Sequence, residues 1–80
     1  MSRKTEEEKF LIEAYGVAKN DGDLSSEINA LEVGKKIGQH DRKIKNIAKT
    51  LSRSGFIKKR GENNFILTQK GISLVEDIRS

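Results

Sequence analysis

Apolar residues return at helical spacing in the first quarter of the chain, where Phe10, Leu11, Ala14 and Ala18 share one face. That period predicts a helix from Thr5 to about Lys19. Thr5 with Glu8 three residues on has the capping-box spacing, in which the hydroxyl takes a first-turn N–H and the carboxylate reaches back. Glu6, Glu7 and Glu8 also suit the positive end of the helix dipole. Asn20-Asp21-Gly22 closes the helix, and Leu24 to Ile28 reads as a short extended segment with at most one ladder. Asn29 and Glu32 repeat the capping-box spacing and open a second helix with Leu31, Val33 and Ile37 as its apolar residues, ended by Gly38. Gly34 lies inside that helix, where glycine costs about 1 kcal/mol relative to alanine. The expected compensation is a close approach of the next helix, which a larger side chain would block.

The third helix has the clearest pattern. Ile44, Ile47, Ala48 and Leu51 fall at i, i+3, i+4 and i+7, one buried stripe on a helix spanning roughly Asp41 to Ser54. Its other positions are almost all polar: Arg42, Lys43, Lys45, Asn46, Lys49, Thr50 and Arg53. Gly55 terminates it. Phe56 to Arg60 and Asn64 to Leu67 read as two strands joined across Gly61-Glu62-Asn63. Thr68 is placed to cap a last helix, in which Ile72, Val75 and Ile78 turn inward. The predicted class is α+β and mostly helical, in the order helix, short strand, helix, helix, hairpin, helix.

That order carries a resemblance. Leu31-Glu32-Val33-Gly34-Lys35-Lys36-Ile37-Gly38, then Ile44, then Leu51-Ser52-Arg53-Ser54-Gly55-Phe56-Ile57, then Phe65-Ile66-Leu67-Thr68-Gln69-Lys70-Gly71 are similar to the winged helix-turn-helix DNA-binding domains, with signatures of the bacterial and archaeal MarR and PadR regulators. The resemblance covers about residues 10 to 78. It implies a three-helix bundle, a β-hairpin wing and a C-terminal helix. His40 stands where such domains usually carry a serine or threonine cap.

Charge sharpens the picture. From Lys35 to Arg60 there are ten basic residues against Asp41 alone, a net +9, whereas residues 1–34 hold four against eight acids. The overall +4 therefore conceals a polarised molecule, and a basic face is a candidate surface for phosphate. Eighty residues make one domain, 1–80, with 1–4 expected to fray. With 34% hydrophobic and 35% charged residues the composition borders on that of disordered chains, but the regular apolar spacing argues for a fold. No cysteine is present, so neither disulfides nor thiolate metal sites assist folding. No apolar run reads as a signal peptide or approaches the roughly 20 residues of a membrane span, so a cytoplasmic protein is expected.

Arg42, Lys43 and Asn46 project from the N-terminal part of helix 3, the part that enters the major groove in helix-turn-helix proteins. Arg42 could read guanine O6 and N7, and Asn46 adenine N6 and N7. Lys35, Lys36, Lys45 and Lys49 are expected near phosphates. Strand alternation sends Lys58 and Arg60 to one face and Lys59 to the other; with Asn63 at the tip, some of them contact the backbone or minor groove, or else protect a strand edge. Asp41 either caps helix 3 or accepts from cytosine N4. The lone His40 has no cysteine to join it and reads as a turn residue rather than a metal ligand. No triad spacing, phosphate loop or paired carboxylate suggests an enzyme, a cofactor or a small-molecule substrate. The expected function is sequence-specific double-stranded DNA binding in a transcription regulator. The alternative is a winged-helix protein-docking module; a single-strand or RNA binder is poorly supplied with exposed rings. One recognition helix reads few base pairs, which suggests a homodimer or a protein partner. Ile12, Tyr15, Ile66 and Leu74 lie off the predicted core faces and could serve such a contact, or be scattered surface hydrophobics.

Overall fold

The computed structural model describes residues 5–79; the fraying expected at 1–4 lies outside them. The protein is an α+β domain with helices α1 (Glu6–Asn20), α2 (Ala30–Lys36), α3 (Asp41–Arg53) and α4 (Gln69–Arg79). Strands β1 (Ile28–Asn29), β2 (Ile57–Arg60) and β3 (Asn64–Leu67) form an antiparallel sheet in the order β1-β3-β2. The first three helices pack on one another, and α4 returns to lie against α1 and β3. Among the described residues no helix is long and apolar enough to cross a membrane.

The core joins the helical stripes to one face of the sheet. Phe10, Leu11 and Ala14 of α1 and Ile44 of α3 are fully buried, with Val33, Phe65 and Val75 around them. The Phe10 and Phe65 rings lie 5.5 Å apart and tilted, tying α1 to the sheet. No polar or charged residue among those described is buried as a whole, although Glu6 Oε2 and Ser26 Oγ are individually shielded from solvent without a hydrogen-bond partner.

Several of the helix starts and stops have a local cause. Thr5 and Glu8 make the full capping box at 3.1 and 2.8 Å. Asn29 makes half of one: its side chain accepts from the Glu32 N–H at 3.1 Å, and Glu32 does not reach back. The Thr68 hydroxyl accepts from the Gly71 N–H at 3.2 Å and donates to the Gly55 carbonyl at 2.6 Å, so it caps α4 and holds it to the end of α3. Gly55, at φ 82°, lets the chain turn from α3 into β2, with the Phe56 N–H donating back to the Leu51 carbonyl.

Gly34 behaves as its position requires. A Cβ there would overlap the Ile44 side chain, so its absence lets α2 and α3 approach closely. Gly71 does the same for α4, where a Cβ would collide with the Phe56 carbonyl oxygen.

Several expectations need correction. Asp41 is the first residue of α3 and not its cap; His40 takes the cap position and makes no side-chain cap hydrogen bond. The Asp41 carboxylate still stands in the first turn, where the dipole favours it. Of the extended segment expected at 24–28 only Ile28 is a strand residue, and β1 continues from it into Asn29. Ahead of it, Asp23 Oδ1 accepts from the Ser25 N–H (2.9 Å) and hydroxyl (2.7 Å), bonds that lower the Asp23 pKa. Tyr15 is buried and so cannot supply a dimer contact; its hydroxyl donates to Glu76 Oε2 at 3.3 Å, and Arg79 lies over its ring. Ile12 and Leu74 are half-buried against the core, and Ile66 is half-buried on the sheet. Of the α4 residues expected to turn inward, Val75 is buried whereas Ile72 and Ile78 are half-buried.

Candidate nucleic-acid interface

α3 turns its apolar stripe of Ile44, Ile47, Ala48 and Leu51 into the core. The opposite face then follows from helical geometry: Arg42, Asn46, Lys49 and Arg53, at i, i+4, i+7 and i+11, form one ridge. All four are exposed. Arg53, which is not among the residues expected to contact DNA, joins this line because its spacing from Arg42 is about three helical turns.

Lys43 belongs elsewhere. It sits on the flank of α3 that faces α1, and its Nζ lies 3.3 Å from Glu6 Oε2, with both side chains about half exposed. On the other flank, Lys45, Asn46 and Lys49 line a groove of about 300 Å³ between α3, the hairpin and the start of α2. Lys59, Glu62 and Asn63 close it from the hairpin side, and Leu31, Ala48, Ile57 and Phe65 contribute apolar surface to it.

The hairpin register decides which basic residues reach that groove. Ile57 pairs with Leu67 and Lys59 with Phe65, and Ile57, Phe65 and Leu67 are all buried. Lys59 therefore stands on the face of the sheet turned toward the core and α3. Lys58, opposite Ile66, and Arg60, opposite Asn64, occupy the outer face. The expected alternation is observed, and it separates this pair from the groove. Asn63 is anchored at the tip, where its carbonyl accepts from the Ala30 N–H at 2.8 Å. The Asn64 amide donates to Glu27 at 2.7 Å.

Of the remaining candidates, Lys35 and Lys36 are exposed in the last turn of α2. Lys36 borders hollows shared with Glu13, Asp21, Glu27 and Glu32, on the acidic side of the molecule. Lys45, Asn46, Lys49, Lys59 and Asn63 are thus brought together, while Lys36, Lys43, Lys58 and Arg60 are directed to other surfaces. Glu62 introduces one carboxylate among the lysines of the groove, which charge counting by segment had assigned outside the basic stretch. His40 is exposed in the turn before α3, and the described residues contain no group of three or more His, Cys, Asp or Glu able to hold a metal ion.

The arrangement offers hydrogen-bond donors and positive charge on a ridge that no segment among the described residues covers. Comparison with family models, with curated proteins and with solved structures yields no match.

Proposed function

We propose that this chain is a winged helix-turn-helix protein that binds double-stranded DNA in a cytoplasmic transcription regulator, with α3 in the major groove and the β2–β3 hairpin along the backbone. The observation that carries this reading is the exposed ridge of Arg42, Asn46, Lys49 and Arg53, set within a stretch of net charge +9. From Arg42 to Arg53 the ridge runs about 16 Å at 1.5 Å per residue. That matches about five base-pair steps, a span over which one helix can follow the major groove.

Arg42 and Asn46 then read base edges, because both offer bidentate geometry and lie toward the N-terminal end of α3. Each such contact discriminates by roughly 1–3 kcal/mol. Lys49 and Arg53, farther along, meet phosphates together with Lys45 and Lys59, and so fix register without reading sequence. Lys43, held toward Glu6, contributes less than its position in the sequence suggests.

Duplex selection on the wild type, Arg42→Ala and Asn46→Ala tests the assignment. The wild type should enrich a defined site, and each variant should lose preference at one position of it. Lys49→Ala should weaken all duplexes alike and flatten the salt dependence by about one unit. Equal wild-type affinity for every duplex would overturn the sequence-specific reading and leave non-specific binding or the docking module.

A further inference from the structure

The tip of the hairpin lacks the charge that contact with a polyanion calls for. β2 carries Lys58, Lys59 and Arg60, but the turn after it is Gly61-Glu62-Asn63, with a carboxylate at its centre and no cation. Glu62 is exposed and shares the groove with Lys45, Lys49 and Lys59. Among the described residues it nevertheless forms no ion pair with any of them. The turn is held from both sides: the Asn63 carbonyl accepts from the Ala30 N–H at 2.8 Å, and Arg60 pairs with Asn64 across the hairpin. Arg60, the nearest cation along the chain, stands on the outer face of the sheet and leaves Glu62 uncompensated on the groove side.

We propose that Glu62 is a specificity-determining residue that makes the protein discriminate against sites flanked by A·T tracts. The inference rests on the DNA reading above and concerns base pairs that α3 does not touch. With α3 in the major groove, the hairpin tip lies over the flanking backbone and the minor groove beside it. A·T tracts narrow that groove and concentrate its negative potential, which draws in arginine or lysine. A carboxylate at the same place is repelled. G·C-rich flanks favour a more open, A-like geometry, and there the same carboxylate costs less. The protein thus selects against a class of flank rather than for a base, by means of an unpaired charge.

The test compares two duplexes that share one selected site and differ only in the pairs flanking it on both sides, A·T tracts in one and G·C runs of equal length in the other. The wild type should bind the G·C-flanked duplex about threefold more tightly, the size expected of screened repulsion between one carboxylate and a few phosphates. Glu62→Gln should gain affinity for the A·T-flanked duplex and bring the ratio near one, and Glu62→Lys should reverse it. Added salt should shrink the wild-type ratio. Glu62 is exposed in a turn, so both variants should keep the wild-type Tm. An equal gain of Glu62→Gln on both duplexes would reduce Glu62 to general repulsion, and a loss confined to the G·C-flanked duplex would make it an acceptor for the guanine amino group; either result overturns the proposal. A wild type that selects a site yet ignores its flanks would also overturn it and leave the DNA reading intact. Absence of binding to any duplex would overturn that reading and this inference together.

Discussion

Gly34→Ala should destabilise this protein, although alanine is the better helix former. On propensity alone the substitution gains about 1 kcal/mol. The added Cβ, however, would land inside the Ile44 side chain, overlapping Cγ1 and Cδ1 and touching Cγ2. Ile44 is fully buried, and a β-branched side chain in a helix is confined largely to one χ1 well, so it cannot swing aside. The conflict must be relieved by separating α2 from α3, which strains the packing of Val33 and Ile47. Overpacking of this kind costs typically about 1–3 kcal/mol, and a rigid neighbour puts this site at the upper end. The net loss is then about 2 kcal/mol, a fall in Tm of about 8–16 °C for a domain of this size. Gly16→Ala is the matched control. Gly16 is exposed in mid-helix with nothing near its virtual Cβ, so that variant should gain up to about 1 kcal/mol. Urea and thermal denaturation followed by far-UV circular dichroism would measure both. Combining Gly34→Ala with Ile44→Ala should lose less than the two single losses added, by at least about 1 kcal/mol, because the second change removes the atoms the first one meets. A stabilised Gly34→Ala, or strictly additive effects, would refute the close approach of α2 and α3.

Thr68→Val removes a hydroxyl that caps α4 and holds the Gly55 carbonyl; denaturation should show a loss of about 1–2 kcal/mol, with Thr68→Ser largely restored. The Asp23 carboxyl should titrate below the usual aspartate range in a ¹³C NMR experiment, first because of the Ser25 hydroxyl and then because of the Ser25 N–H, and Ser25→Ala should raise it. Since the folded state lowers this pKa, the stabilisation it brings is present above the unfolded value near 4 and is lost as pH falls through the folded one. Glu6→Gln should barely change stability, because the Lys43 pair is half exposed. If the DNA reading holds, the freed Lys43 should steepen the salt dependence of duplex binding by up to about one unit; an unchanged slope would mean that Lys43 meets no phosphate.

What could be read in the sequence follows from how local each feature is. The α3 stripe was legible because four apolar residues repeat at helical spacing with only polar residues between them, and the ridge is its geometric complement. Tyr15 was not, because the buried face of α1 is wider than one stripe. Phe10, Leu11, Ala14, Tyr15 and Ala18 are all buried since α2, α3 and α4 surround the helix, and no single-helix pattern states how many neighbours it has. The cap of α3 was displaced by one residue, a distinction that rests on the extended backbone of His40 rather than on composition. Alternation separated Lys59 from Lys58 and Arg60, but which face looks toward α3 depended on Ile57, Phe65 and Leu67 being buried. The groove floor was beyond reach for the same reason: its residues come from α2, α3, β2 and β3, and no sequence window holds them together.

Those long-range features also explain why α3 can serve as a rigid platform. Near its start, Ile44 is seated against Gly34, so α2 sets the position of the first turns. At its end, three contacts converge from α4: the Thr68 hydroxyl on Gly55, Lys70 Nζ on the Ser54 carbonyl at 2.8 Å, and Gly71 pressed against the Phe56 backbone. A helix held at one end can pivot about it, whereas one held at both ends keeps its outward side chains in fixed register. For the proposed reading of bases that register matters, since sites built on packed elements hold their geometry more closely than sites on loops. The glycines at 34 and 71 then have a common logic. Each lacks a side chain so that a neighbouring element can approach α3 or the turn that ends it, and that close approach, which an alanine would disrupt, supports the ridge of Arg42, Asn46, Lys49 and Arg53.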